Sequence, residues 1–147
     1  MTRVTPAIAL LASLVCLVAC SDEQESHYAD VATARQAGLL DRGWIPDIVP
    51  PDAVNIREVH DLDTNLTWGC FTTATGVATV RSRLAALQGK RVSGPVAPGM
   101  VRIRSWWPSS LTGESGEVHE FQENGRFGVR VGIDATANRV CFFRGLR

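Results

Sequence analysis

Two histidines and a run of alternating oxygen side chains are the residues of this chain best suited to bind metals or move protons. Asp61, Asp63 and Asn65 stand at every second position of "HDLDTN", and oxygens so spaced can wrap a hard cation such as calcium. An EF-hand loop begun at Asp61 would need Gly at position 66 and Glu at position 72, where the chain has Leu66 and Thr72. The stretch therefore reads first as a turn whose short polar side chains bond their own backbone, with a weak cation site at Asp61, Asp63 and Asn65 as the alternative. His60 and His119, with Asp63 nearby, have the chemistry to ligate zinc or to pair a general base with its orienting acid. Nothing in their spacing demands it, and a lone strand histidine is more often structural. "TGESGE" departs from a nucleophile elbow at position 117, where Glu117 replaces the second glycine. No phosphate loop, dinucleotide fingerprint or CxxC pair occurs. The chain is expected to work without catalysis, metal or cofactor.

The cysteines place the chain. Ala7 to Ala19 is an unbroken apolar and small run preceded by Arg3. It is too short to span a bilayer, which takes about 20 residues, and it has the length of a secretory h-region. Leu17-Val18-Ala19-Cys20 resembles the lipobox of bacterial lipoproteins, which implies diacylglycerol on the Cys20 sulfur and cleavage before it. Fatty acyl chains such as palmitate then hold the protein at a membrane, since two or more chains make attachment stable. Ser21 after the cysteine favours the outer membrane, facing the periplasm, while Asp22 keeps the inner membrane as the alternative. Cys16 leaves with the signal peptide, so Cys70 and Cys141 are the thiols left to pair in an oxidising compartment. The alternative is two free buried thiols.

Charge is unevenly placed. Cys20 to Asp63 holds ten Asp or Glu against three Arg, and Thr64 onward holds five against eleven Lys or Arg. The simplest reading is two halves that sit together and neutralise one another. Nucleic acid is an unsuitable partner outside the cytoplasm. The recognition surface expected from the sequence is Arg102, Arg104 and Trp106, of residue types enriched at interface hot spots and sugar-stacking sites. On a strand these three share one face, and Val101, Ile103 and Trp107 share the other.

The elements that must position these residues follow from periodicity. Residues 20–26 read as a polar tether after the signal peptide, residues 1–19, and residues 27–147 as one domain. Tyr28, Val31, Arg35 and Leu39 have helical spacing, ended by Gly43 and Pro46. "GWIPDIVPPDA" is too rich in proline for regular structure and serves as a stiff connector. Val54 to Asp61 and Leu66 to Thr72 alternate as a hairpin around Asp61 to Asn65, and Val77, Val80, Leu84 and Leu87 mark a second helix. Val101 to Trp107 reads as a strand. Val118 to Glu123, the Asn124-Gly125 turn, Phe127 to Ile133 and "RVCFFRG" make a C-terminal meander. Together these predict a single α+β domain: an antiparallel sheet of five or six strands with two helices on one face.

"RGWIPDIVPPDAVNIREVHDLDTNLTWGCF", Arg42 to Phe71, together with the later "WWPSSL" and terminal aromatic strand, resembles small envelope lipoproteins of Gram-negative bacteria carrying a YbbD-type head domain. The resemblance implies a compact α+β lipoprotein domain and brings no activity, ligand or catalytic residue. The expected role is a lipid-anchored module contacting the membrane through its lipid and an envelope protein or glycan by its surface. The alternatives are a small inhibitor of a periplasmic hydrolase or glycan binder and, more remotely, a metal-dependent hydrolase in which His60, His119 and Asp63 converge.

Overall fold

A computed structural model describes residues 22–99, 101–114 and 116–146. Cys20 and residues 1–19, expected as a signal peptide, lie outside them. The described chain forms one antiparallel sheet of seven strands: β1 Glu23–Asp30, β2 Ala53–Asp61, β3 Thr67–Thr73, β4 Lys90–Val92, β5 Glu117–Glu123, β6 Phe127–Asp134 and β7 Arg139–Leu146. Their order across the sheet is β1-β2-β3-β7-β6-β5-β4. Two short helices, α1 Val31–Gln36 and α2 Ala78–Ala86, complete it, so the fold is mostly β.

The sequence reading is corrected at four places, three of which change the strand count. Residues 23–26, expected as tether, are the first half of β1, which pairs with β2 from Glu23 opposite Asp61 to Asp30 opposite Val54. The helix expected from Tyr28 begins only at Val31, because Asp30 ends the strand and caps the helix, accepting the Thr33 N–H at 2.8 Å. Lys90–Val92 is a short strand on the outer edge of β5. Conversely, Val101 to Trp107 is irregular. Its alternating pattern comes from a loop that folds over the sheet and buries Val101 and Trp107.

Both faces of the sheet are covered, by different means. One carries the α1 and α2 residues Val31, Ala34, Val80 and Leu84 and the connector residues Leu39, Ile45 and Ile48, packed on Ile56, Phe71, Val129, Val131 and Phe142. The helices therefore share one face, as expected. The other face carries Val59, Trp68, Cys70, Val118 and Cys141 beneath Val96, Ala97, Trp107 and Leu111 of the 93–113 loop. Gly132 permits that approach: a Cβ there would overlap the Val96 side chain. The meander matches its prediction, with Asn124 and Gly125 both at positive φ (53° and 66°), as a type I′ turn requires.

Cys70 and Cys141 are directly opposite on β3 and β7 and form a disulfide across 71 residues of sequence. It joins the N-terminal hairpin to the C-terminal meander at the centre of the sheet.

Candidate functional site

β2 and β5 each carry Glu-Val-His, Glu58 to His60 and Glu117 to His119. Strand alternation puts each glutamate and histidine on the same face. The two pairs do not converge. β3, β7 and β6 lie between them, a separation on the order of 19 Å at ordinary strand spacing. One ion with ligand distances near 2 Å cannot bridge that gap. No group of three or more His, Cys, Asp or Glu arranged to hold a metal exists among the described residues.

The Glu58 pair is buried on the helix-covered face, with Glu58 fully inaccessible and His60 3 % exposed. His60 Nδ1 is 3.1 Å from both carboxyl oxygens, and Trp44 stacks on the imidazole with ring centroids 3.5 Å apart. The Arg42 guanidinium lies 5.0 Å over the Trp44 ring. Burial raises the Glu58 carboxyl to about 8, partly offset by a hydrogen bond with Ser26. Burial first, and the Arg42 charge second, hold His60 below its ordinary value. At neutral pH the carboxylic acid donates to a neutral imidazole, and His60 Nε2 is buried with no hydrogen-bond partner among the described residues. The arrangement pins the connector to the sheet.

A carboxyl whose folded pKa is raised contributes stability fully present below its unfolded value, near 4.5, and lost as pH rises toward about 8. The depressed His60 acts the other way, costing stability as pH falls through 6.5. Between pH 6.5 and 8 only the Glu58 effect operates, so stability is expected to fall by roughly 2 kcal/mol there. Urea unfolding across that range checks this. Glu58→Gln should flatten the dependence, and a flat wild-type curve would refute the assignment.

Glu123 and Arg144 form a buried ion pair on this face, with Arg144 Nε 2.6 Å from Glu123 Oε2. The other Glu123 oxygen accepts the Asp47 N–H at 2.9 Å, and the guanidinium lies 3.5 Å over the Phe127 ring. His119 is partly buried, with Nε2 3.3 Å from Glu117, which also takes two bonds from Arg81. Those bonds hold Glu117 below the usual carboxylate range.

Asp61, Asp63 and Asn65 make the expected turn. The Asp63 and Thr64 N–H groups donate to Asp61 Oδ1 at 2.9 and 3.1 Å, and Asn65 is left-handed at φ 55°. One of the three side chains is thus engaged with backbone. The Asp22 and Asp61 charges raise the Asp63 carboxyl.

The expected recognition surface is built differently. Arg102 is exposed, but Arg104 and Trp106 turn inward to clasp β1. Arg104 bonds Glu23 and Glu25 at 2.9 and 3.0 Å, and Trp106 Nε1 donates to Glu25 Oε1 at 2.6 Å. Here the acidic and basic halves of the chain meet. The pairs Arg81–Glu117, Arg130–Glu120 and Arg144–Glu123 instead form within the basic half.

Beside the clasp, on the same face, is a pocket of about 200 Å³ lined by His27, Asn55, Arg57, Thr72, Trp106 and Arg139, with Cys70 and Phe71 also contributing. Register explains it: His27, Arg57 and Cys70 lie side by side on β1, β2 and β3, and Thr72 pairs with Arg139 of β7. Between Val54 and Arg57, three steps along β2 match two along β3. Asn55 takes up this bulge at φ 51°, and it reaches the pocket alongside Arg57. No carboxylate is among the lining residues. Of this set the sequence reading singled out Trp106 for recognition and Cys70 for a disulfide; Arg57 and Arg139 are far apart in the chain and no local pattern joins them.

β1, the connector, β2 and all but the last residue of β3 fall within one matched segment. Residues 22–72 match the YbbD head domain. No curated protein and no solved structure matches the chain. The YbbD head match covers about a third of the sequence, starting before the Arg42 to Phe71 resemblance and ending short of "WWPSSL". Within the YbbD head segment lie Trp44, Glu58 and His60, and also His27, Asn55, Arg57 and Thr72. Trp106, Arg139, Arg144 and Glu123 come from beyond it, so both the pocket and the covered polar cluster are completed by the C-terminal half.

Proposed function

We propose that this protein is a lipid-anchored binding module, held at the outer membrane by acyl chains on Cys20, facing the periplasm and acting without catalysis. The apolar run Ala7 to Ala19 ending in Leu17-Val18-Ala19-Cys20 supports the anchor, and the Cys70–Cys141 disulfide suits an oxidising compartment. The observation that carries the binding reading is the pocket beside the clasp, where two guanidinium groups and a tryptophan held by Glu25 surround a space free of lining carboxylates. Arginine and tryptophan lead among residues that dominate recognition energetics.

Crosslinked capture from native envelopes, with mass spectrometry of the recovered bait, tests both halves of the proposal. A chain beginning at acylated Cys20 is expected, together with an envelope species captured by wild type and lost from Arg57→Met. An unmodified amino terminus would remove the anchor. Recovery of general lipoprotein-export machinery alone, equally by both proteins, would remove the binding role.

A further inference from the structure

We propose that the pocket beside the clasp receives an anionic sugar unit of a glycan, gripped through its oxyanion by Arg57 and Arg139 and seated against Trp106. This rests on the binding-module reading and names the ligand class of the same site.

Size comes first. A pocket of about 200 Å³ falls below the roughly 300–1,000 Å³ of sites that enclose drug-sized ligands. One monosaccharide unit or a smaller group is what it can take. Charge comes second. Arg57 and Arg139 enter from β2 and β7 on opposite sides of Cys70 and Thr72, and His27 adds a third nitrogen donor or acceptor from β1. A guanidinium offers its donors as a planar fork that matches carboxylate and phosphate oxygens two at a time. No carboxylate lines the pocket; Asp134, opposite Arg139 on β6, offsets part of that residue's charge from outside it, and a ligand oxyanion would supply an acceptor inside.

The aromatic wall decides between a bare anion and a sugar. Trp106 is half-buried, and its indole N–H is already committed to Glu25, whose other oxygen takes Arg104. The ring is thus held in place before any ligand arrives, which lowers the ordering cost of binding. With its N–H occupied, the surface Trp106 can offer is apolar, suited to the C–H face of a pyranose. Asn55 and Thr72 also line the pocket; the Thr72 hydroxyl donates to the Val54 carbonyl at 3.2 Å and keeps its oxygen as an acceptor for a sugar hydroxyl.

A peptide carboxyl terminus fits less well. Peptides bound on sheets gain most from backbone hydrogen bonds to an open strand edge. The pocket lies on the sheet face across β1, β2, β3 and β7, neighbours that pair with one another, so it offers a peptide side chains and not a strand edge.

Isothermal titration of the full acylated chain in detergent micelles tests this with glucuronate, glucose 6-phosphate, glucose, inorganic phosphate and a tripeptide with a free carboxyl terminus. Either anionic sugar should bind at least tenfold more tightly than glucose or inorganic phosphate, and the stronger of the two identifies carboxylate or phosphate as the oxyanion. Arg57→Met and Arg139→Met, each confirmed folded by its melting temperature, should each weaken the sugar by about tenfold or more. Trp106→Leu should weaken the sugar while leaving inorganic phosphate unchanged. Equal binding of phosphate and sugar phosphate, equal binding of glucose, or preference for the tripeptide would each overturn the proposal. If none of the probes binds yet Arg57→Met still abolishes capture from envelopes, the ligand class is wrong and the binding module stands. If capture is insensitive to Arg57 as well, both fall.

Discussion

Replacing Arg144 by alanine is expected to destabilise the protein by about 3–5 kcal/mol, because it strands the Glu123 carboxylate in the core. Both residues are 7 % exposed, and the carboxylate is anchored from its other oxygen by the Asp47 N–H, so it cannot swing out to water without releasing the connector. The cost comes from the abandoned charge more than from the lost attraction. Arg144→Met combined with Glu123→Leu should therefore recover most of the loss, less the unpaired Asp47 amide. Urea unfolding of the two variants checks this. A single variant that loses under 1 kcal/mol would mean that water reaches the pair, and a double variant no better than the single would mean that the pair's attraction matters more than its desolvation.

Opening the disulfide should have an effect of similar size by a different route. Cys70→Ala with Cys141→Ala frees a loop of 71 residues in the unfolded chain, which in the chain-entropy model costs about 4 kcal/mol. The native sheet should change little, since β3 and β7 keep their ladder on both sides of the bridge. The expected signature is a lower denaturation midpoint for the alanine variant and for reduced wild type, matching one another, with an unchanged far-ultraviolet spectrum. Midpoints within 0.5 kcal/mol of oxidised wild type would show that the bridge constrains nothing the sheet does not already constrain.

The first prediction concerns a pair inside the C-terminal meander that also holds the connector, and the second the bridge from the N-terminal hairpin to that meander; such long-range contacts separate what the sequence determined from what the fold decided. Local features read well. The hairpin around Asp61, the Asn124-Gly125 turn and the α2 face of Val80 and Leu84 depend on residues near one another in the chain, where turn chemistry and periodicity act directly. The Cys70–Cys141 pairing was also legible, because elimination left one connectivity.

Reading failed where a neighbour distant in sequence decides the outcome. Glu23–Ser26 looks like solvated linker because an edge strand may be polar on both faces; it becomes β1 because β2 presents an unpaired edge and Arg104 and Trp106 reach back to hold its glutamates. Val101 to Trp107 alternates like a strand, but it belongs to the loop that covers one face of the sheet, so Val101 and Trp107 are buried from a loop while Ile103 stays exposed. Glu58 looks like an outward strand position until Trp44 and the connector close over it, and Glu123 and Arg144 become partners only because β5 and β7 flank β6. The pocket is the clearest case: His27, Arg57, Trp106 and Arg139 span most of the domain in sequence, and only sheet order and register bring them to one rim. Periodicity reports which way a side chain points relative to its own backbone, whereas burial, charge pairing and ligand sites depend on what packs against it.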